Sequence, residues 1–180
     1  MKALQCVELG GPEKLEINEV EAPSAIPGHV VIDVKSGSIN FPDVLMIQGL
    51  YQYQPPLPFT PGGESAGVIS EVGEGVTKFK VGDKVFAMTG VGAFAEKILA
   101  AEASCMAIPD SMDYDSAAAL SMVYGTSLYA LKQRANIQPG ETLLVLGASG
   151  GVGLATIELG KAMGAKVIAA ASTQDKIDIC

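Results

Sequence analysis

The chain has 180 residues, 48% apolar and 18% charged, which excludes a disordered polymer and suffices for a substantial core. Twelve Lys and Arg against 20 Asp and Glu give a formal charge of −8. That balance argues against nucleic acid or an anionic membrane as partner, because both are bound by clustered cations.

Residues Lys2 to Leu9 alternate as a strand and stop at Gly10-Gly11-Pro12. No secretory signal is expected there, since Glu8 comes early and no long apolar stretch follows. Further strands are predicted over Lys14 to Val20, His29 to Val34, Ser65 to Val72, Val85 to Met88, Gly92 to Leu99 and Cys105 to Ile108. Short strands broken by Gly and Pro predict a small barrel or sandwich. The pattern then turns helical. Asp115-Ser116 can cap a helix over Ala117 to Met122, and a second helix runs from Gly125-Thr126 to about Ala135. Gln138-Pro139-Gly140 is a turn, and Glu141 to Gly147 is a continuous apolar run suited to a strand buried on both faces. A helix over Gly150 to Met163 and a buried strand over Lys166 to Ala171 follow. No apolar run reaches the ~18 residues of a membrane span.

The residue inventory limits the chemistry. Three Cys, at positions 6, 105 and 180, and one His fall in no ligand spacing, so no metal site is expected. The odd, scattered cysteines fit a reduced cytoplasmic chain. His29 follows Pro27-Gly28 and reads as a turn residue. No G-x-S-x-G elbow accompanies it.

The strongest chemical signal is Gly147-Ala148-Ser149-Gly150-Gly151-Val152-Gly153, set between a strand and a helix with a second strand to follow. That frame is the one required of a dinucleotide fingerprint, here with Ala148 at its first position. Gly150 and Gly151 let backbone N–H groups approach a pyrophosphate, Gly153 allows close helix packing, and the helix N-terminus favours an anion. The end of the second strand reads Ala170-Ala171-Ser172-Thr173, without the acidic residue that holds a ribose 2′-hydroxyl. Lys176 can reach a 2′-phosphate, so NADP(H) is the favoured cofactor. Asp175 is the competing ribose ligand.

In Gly10-Gly11-Pro12-Glu13, Asn40-Phe41-Pro42-Asp43, Pro61-Gly62-Gly63-Glu64, Val81-Gly82-Asp83-Lys84-Val85, Ala117-Ala118-Ala119-Leu120, Tyr124-Gly125-Thr126, Gln138-Pro139-Gly140-Glu141 and the glycine loop, the chain resembles the medium-chain dehydrogenase/reductases, specifically the zinc-independent, zeta-crystallin-like quinone oxidoreductases. The resemblance implies a GroES-like β barrel domain over residues 1–122, a partial Rossmann NADP-binding domain over 123–180, and an active site in the cleft. It implies hydride transfer from NADPH to a quinone, the alternatives being 2-enoyl carbonyl or thioester reduction, or a non-catalytic NADPH-binding protein. Asn40 matches a position near nicotinamide and substrate, and equally suits a turn before Phe41-Pro42. Tyr51 matches a tyrosine beside the cofactor, and equally suits packing beside Tyr53. Leu45 stands where some relatives carry another tyrosine. Thr126 and Tyr129 match positions lining the cofactor cleft and also suit helix packing. Zinc-using relatives carry Gly-His-Glu where this chain has Gly62-Gly63-Glu64, and a Cys near Ser38 to Asp43. Family chains are longer and often dimeric, so a fragment, inactive by itself, of a homodimeric parent is expected.

Overall fold

Val30, Val31 and Ile32 form an uninterrupted apolar run at the centre of β3 (His29–Ser38), and all three are fully buried. Burying a side chain of that size stabilises a fold by about 1.5–3 kcal/mol, so this strand organises what surrounds it. The computed structural model describes residues 1–180. They divide into two compact units, Met1–Ala119 and Leu120–Cys180.

In the first unit, β1 (Lys2–Cys6) and β2 (Leu15–Glu19) pair as an antiparallel hairpin. A five-stranded antiparallel sheet contains β3, β4 (Glu64–Val72), β5 (Lys84–Met88), β6 (Lys97–Ala101) and β7 (Cys105–Ala107). Its order is β6-β3-β4-β5-β7, and the register of β3 on β4 shifts between Val31 and Ile32 and between Val34 and Ser36. One core is built from Val30, Ile32, Ile69, Val85, Ala87, Ile98 and Ala100. A second gathers Cys6, Met46, Ile47 and Phe59. The hairpin joins the rest through bridges Ala3↔Ala95 and Cys6↔Phe59. The expected barrel is thus seen as an open sheet with a hairpin, since no ladder connects the two edges β6 and β7.

Two helices of this unit differ from the sequence reading. Phe41–Ile47, over which no element is predicted, forms α1, with Pro42 in its first turn, where the missing N–H costs nothing. The next helix, α2, begins at Tyr114 and ends at Ala118 (Tyr114–Ala118). Its cap is Asp113, whose carboxylate accepts the Ser116 N–H at 2.7 Å, in place of the expected Asp115-Ser116.

The second unit begins with α3 (Ser121–Leu128), four residues ahead of the expected Gly125, and continues through a π-helical stretch, Tyr129–Arg134. Then β8 (Thr142–Leu146) and β9 (Lys166–Ala170) pair in parallel, connected by α4 (Gly151–Ala162). A short α5 (Gln174–Asp178) follows. The inner face of the strands packs on α4 through Leu143, Val145, Val167, Ala169, Leu154 and Ile157. The other face leaves Leu144, Leu146 and Ile168 exposed. No helix is long and apolar enough to cross a membrane.

Candidate functional site

In the first unit, Asn40 is the N-cap of α1 and is fixed at both backbone and side chain. Its N–H donates to the Asp43 carboxylate at 2.7 Å, and the Asp43 N–H returns to the Asn40 carbonyl at 3.0 Å. Its amide nitrogen donates to Glu64 Oε1 at 2.8 Å and also lies 3.3 Å from Ser38 Oγ. Asp43 and Glu64 are both buried, at 5% and 1% exposure. Burial raises the Asp43 pKa, against the lowering effect of N–H groups from Asn40, Gly62 and Gly63, while the neighbouring Glu64 raises it further. Gly62 makes this clamp possible. Its φ is +100°, and a Cβ there would stand 2.7–2.9 Å from Phe94 and Ala93.

Tyr51 lies beyond the other end of α1, so a helix about 10 Å long separates it from Asn40 along the chain. Its half-buried ring packs against the Cys6–Met46–Ile47–Phe59 core. Asn40 thus caps a helix where the sequence suggested a turn, and Tyr51 packs on a core cluster where the sequence suggested packing beside Tyr53.

In the second unit, the glycine loop turns from β8 into α4. Gly147 has a φ of +64°, and Gly150 is the N-cap, with no side chain capping the helix and no acidic residue in its first turn. The N–H groups of Gly151, Val152 and Gly153 thus have no intrahelical acceptor. Each residue of the loop is small for its own reason. A Cβ on Gly150 would meet only the Gly147 carbonyl, at 3.5 Å. On Gly151 it would press on Val123 of α3 at 3.0 Å, so that glycine serves helix packing as well as ligand approach. On Gly153 it would strike the Gly147 and Ala148 carbonyls at 2.6 Å. The close approach of helix to sheet falls instead at Gly160, where a Cβ would lie 2.7 Å from Leu143.

Ala148 is fully buried, and its N–H is committed to the Ala170 carbonyl at 3.1 Å. A cavity of about 300 Å³ opens beside the loop, lined by Gly147, Ser149, Ala170, Ala171, Ser172 and Lys176. Lys176 Nζ donates to Ser172 Oγ at 3.3 Å, one helical turn away. The fold therefore brings Ser149, Ser172 and Lys176 together at the strand ends. Thr126 and Tyr129 are exposed on α3 and its extension and do not line this cavity. Asp175 does not line it either.

Sequence reasoning missed four side chains that hold these groups. Asp43 and Glu64 stood inside matched motifs without a role. Ser127 is fully buried and donates to the Val152 carbonyl at 3.0 Å, and Thr156 donates to the same carbonyl at 2.6 Å. Ser127 thereby ties α3 to the first turn of α4, and its hydroxyl also lies 3.0 Å from that of Thr156 on the same helix α4. Only the Asn-x-Pro-Asp spacing gave a readable signal, a reciprocal cap. Nowhere are three or more His, Cys, Asp or Glu gathered to hold a metal ion.

Residues 26–110 match the alcohol dehydrogenase GroES-like domain. The chain is 40% identical to the quinone oxidoreductase of Rattus norvegicus over 177 residues, 97% of this chain and 54% of the relative. Among solved structures, it superposes on the Escherichia coli quinone oxidoreductase complexed with NADPH at a TM-score of 0.91 and 32% identity, covering 99% of this chain and 55% of the other. It superposes equally, at 0.91 and 31% identity, on the CurK enoyl reductase, covering 98% of this chain and 55% of the other. The chain spans about half the length of the curated relatives it matches. Over nearly its whole length the chain is therefore similar to about half of a quinone oxidoreductase, and residues 26–110 carry the alcohol dehydrogenase GroES-like domain.

Proposed function

We propose that the protein is a zinc-independent oxidoreductase that transfers hydride from NADPH to a quinone, with the second unit gripping the cofactor and the first supplying Asn40 and Tyr51. The observation that carries this reading is the start of α4. Unpartnered N–H groups, no acidic side chain and an unfilled Cβ position at Gly150 suit a pyrophosphate. Beside it, Lys176 and Ser172 offer a cation and a hydroxyl to a 2′-phosphate, with no carboxylate lining the cavity to repel it. The residues therefore fit NADP(H). When bound, that cofactor supplies the hydride and the protein supplies orientation and electrostatics.

With one His and no clustered ligands, the chain holds no donor set for a Lewis acid that would polarise an ordinary ketone. The acceptor must then be electrophilic already, as a quinone or an enone is. Identity to the rat quinone oxidoreductase favours the quinone; likeness to CurK supports 2-enoyl reduction as the second reading. In functional terms, residues 1–122 form the substrate side and 123–180 the cofactor side. The open sheet of the first unit is read as part of a GroES-like domain.

The test is NADPH oxidation by the full-length protein with a quinone and an enoyl thioester side by side, in the presence of a chelator. Faster turnover of the quinone, unaffected by chelation, is expected. Turnover of the enoyl thioester alone selects the second reading, and activity restored only by zinc contradicts both.

A further inference from the structure

Asn40 carries a carboxamide, which can meet a ligand through either end. The N–H end donates to an oxygen, and the carbonyl end accepts from an amide or hydroxyl. The surroundings of Asn40 decide between them. Glu64 Oε1, an acceptor, sits 2.8 Å from the amide nitrogen, and Ser38 Oγ lies 3.3 Å from the same atom. Both amide hydrogens thus have acceptors within the protein. Turning the carboxamide over would set its oxygen against the Glu64 carboxyl oxygen, an acceptor against an acceptor in a site at 1% exposure.

The backbone at Asn40 is equally fixed. Its N–H donates to Asp43, which also accepts from Gly62 and Gly63. Gly63 directly precedes Glu64, so the α1 cap and the start of β4 are held by one set of bonds. Two buried carboxylates thus hold one half-buried residue, Asp43 its main chain and Glu64 its side chain.

We propose that Glu64, assisted by Ser38, is a positioning residue that locks the Asn40 carboxamide with its nitrogen inward, so that Oδ1, which faces the Asp43 N–H of the helix cap with one lone pair, meets a ligand as a hydrogen-bond acceptor with the other. The inference rests on the reading of Asn40 as a residue of the reductase site. Its chemical consequence is specific. Asn40 recognises a donor, such as a primary amide or a hydroxyl, and does not donate to the carbonyl oxygen of the electron acceptor. Polarisation of that oxygen then falls to another group.

The test has two parts. In the first, Glu64→Met and Glu64→Gln are made in the full-length protein, alone and combined with Asn40→Ala, and kcat, KM for a quinone and Kd for NADPH are measured. Glu64→Met is expected to lower kcat on the order of tenfold, with a smaller change in KM, because it frees the carboxamide to turn. Glu64→Gln keeps an oxygen for the amide nitrogen and recovers most of that loss. In the Asn40→Ala background, Glu64→Met has no further effect on kcat. An equal loss in both backgrounds overturns the proposal. The second part needs neither turnover nor a variant. In ¹⁵N-labelled wild type, the Asn40 side-chain amide protons should exchange with solvent far more slowly than those of exposed Gln52, and exchange as fast as Gln52 overturns the lock. If the wild type neither binds NADPH nor reduces a quinone, the reductase reading fails, while the exchange measurement still decides the orientation of Asn40.

Discussion

Asn40 and Gly150 are both helix N-caps, and the two units treat them in opposite ways. At α1 the protein fills the anion position itself, with the Asp43 carboxylate in the first turn and Glu64 behind the cap. At α4 no side chain caps the helix, no acid lies in the first turn, and the cap residue has no side chain. The first helix start is thus complete within the protein, and the second keeps free N–H groups of the kind that favour an anion. The same contrast extends to the cores. Val30, Val31 and Ile32 of β3 are buried on both faces, whereas β8 and β9 expose Leu144, Leu146 and Ile168 on one. Side-chain chemistry needs a buried clamp to hold its geometry. Backbone chemistry needs only shape and space.

The sharpest way to break this comparison is within the loop itself. Gly153→Ala places a methyl 2.6 Å from two backbone carbonyls that cannot yield. It should destabilise the second unit by about 3 kcal/mol and abolish NADPH binding, as read by thermal melting and by fluorescence titration. Gly150→Ala tests the opposite case. Its methyl meets only one atom at 3.5 Å, and its φ of −79° suits any residue. Stability should change by no more than about 1 kcal/mol, while affinity for NADPH falls about tenfold. Equal effects on folding and binding at the two positions would contradict the assignment of Gly150 to the ligand.

In the first unit, Gly62→Ala should cost about 2–3 kcal/mol, because a φ of +100° and the contact with Phe94 both oppose it. Chemical denaturation measures this. A smaller effect is expected at Lys176→Ala, which should reduce the preference for NADPH over NADH about tenfold without altering the melting temperature. The smallest concerns acid. Asp33 has its pKa lowered by the hydrogen bond from Lys97, helped by Ser70. A carboxylate with a folded pKa below its unfolded one stabilises above the unfolded value, and that contribution is lost as pH falls through the folded value. Lys97→Met should therefore flatten the acid side of the stability profile below about pH 4. The pair is partly exposed, so the change is slight.

What the sequence revealed followed from how local each feature is. The glycine loop, the β8 run from Thr142 to Leu146 and the Ser172–Lys176 pair are each set by a few adjacent residues, and the pattern exposes them. The seven-residue α1 is not legible because Asn40 suits a turn before Phe41-Pro42 and the helix is too short for a period to show; its cap, not its periodicity, specifies it. Asp113 was passed over for Asp115-Ser116 because several polar residues there can cap, and only the backbone dihedrals select one. Glu64 was legible as part of a motif and silent as a partner of Asn40. The two are 24 residues apart, and only the pairing of β3 with β4, Ser38 opposite Glu64, brings them together. The role of Ser127 likewise depends on the packing of α3 against the first turn of α4.

The most direct test of the account is a fluorescence titration of the full-length protein with NADPH and, separately, NADH. Saturable binding with a clear preference for NADPH, weakened by Gly150→Ala, is the predicted result. No binding of either nucleotide, or a preference for NADH, would contradict the claim that α4 and Lys176 form a site for a phosphorylated dinucleotide.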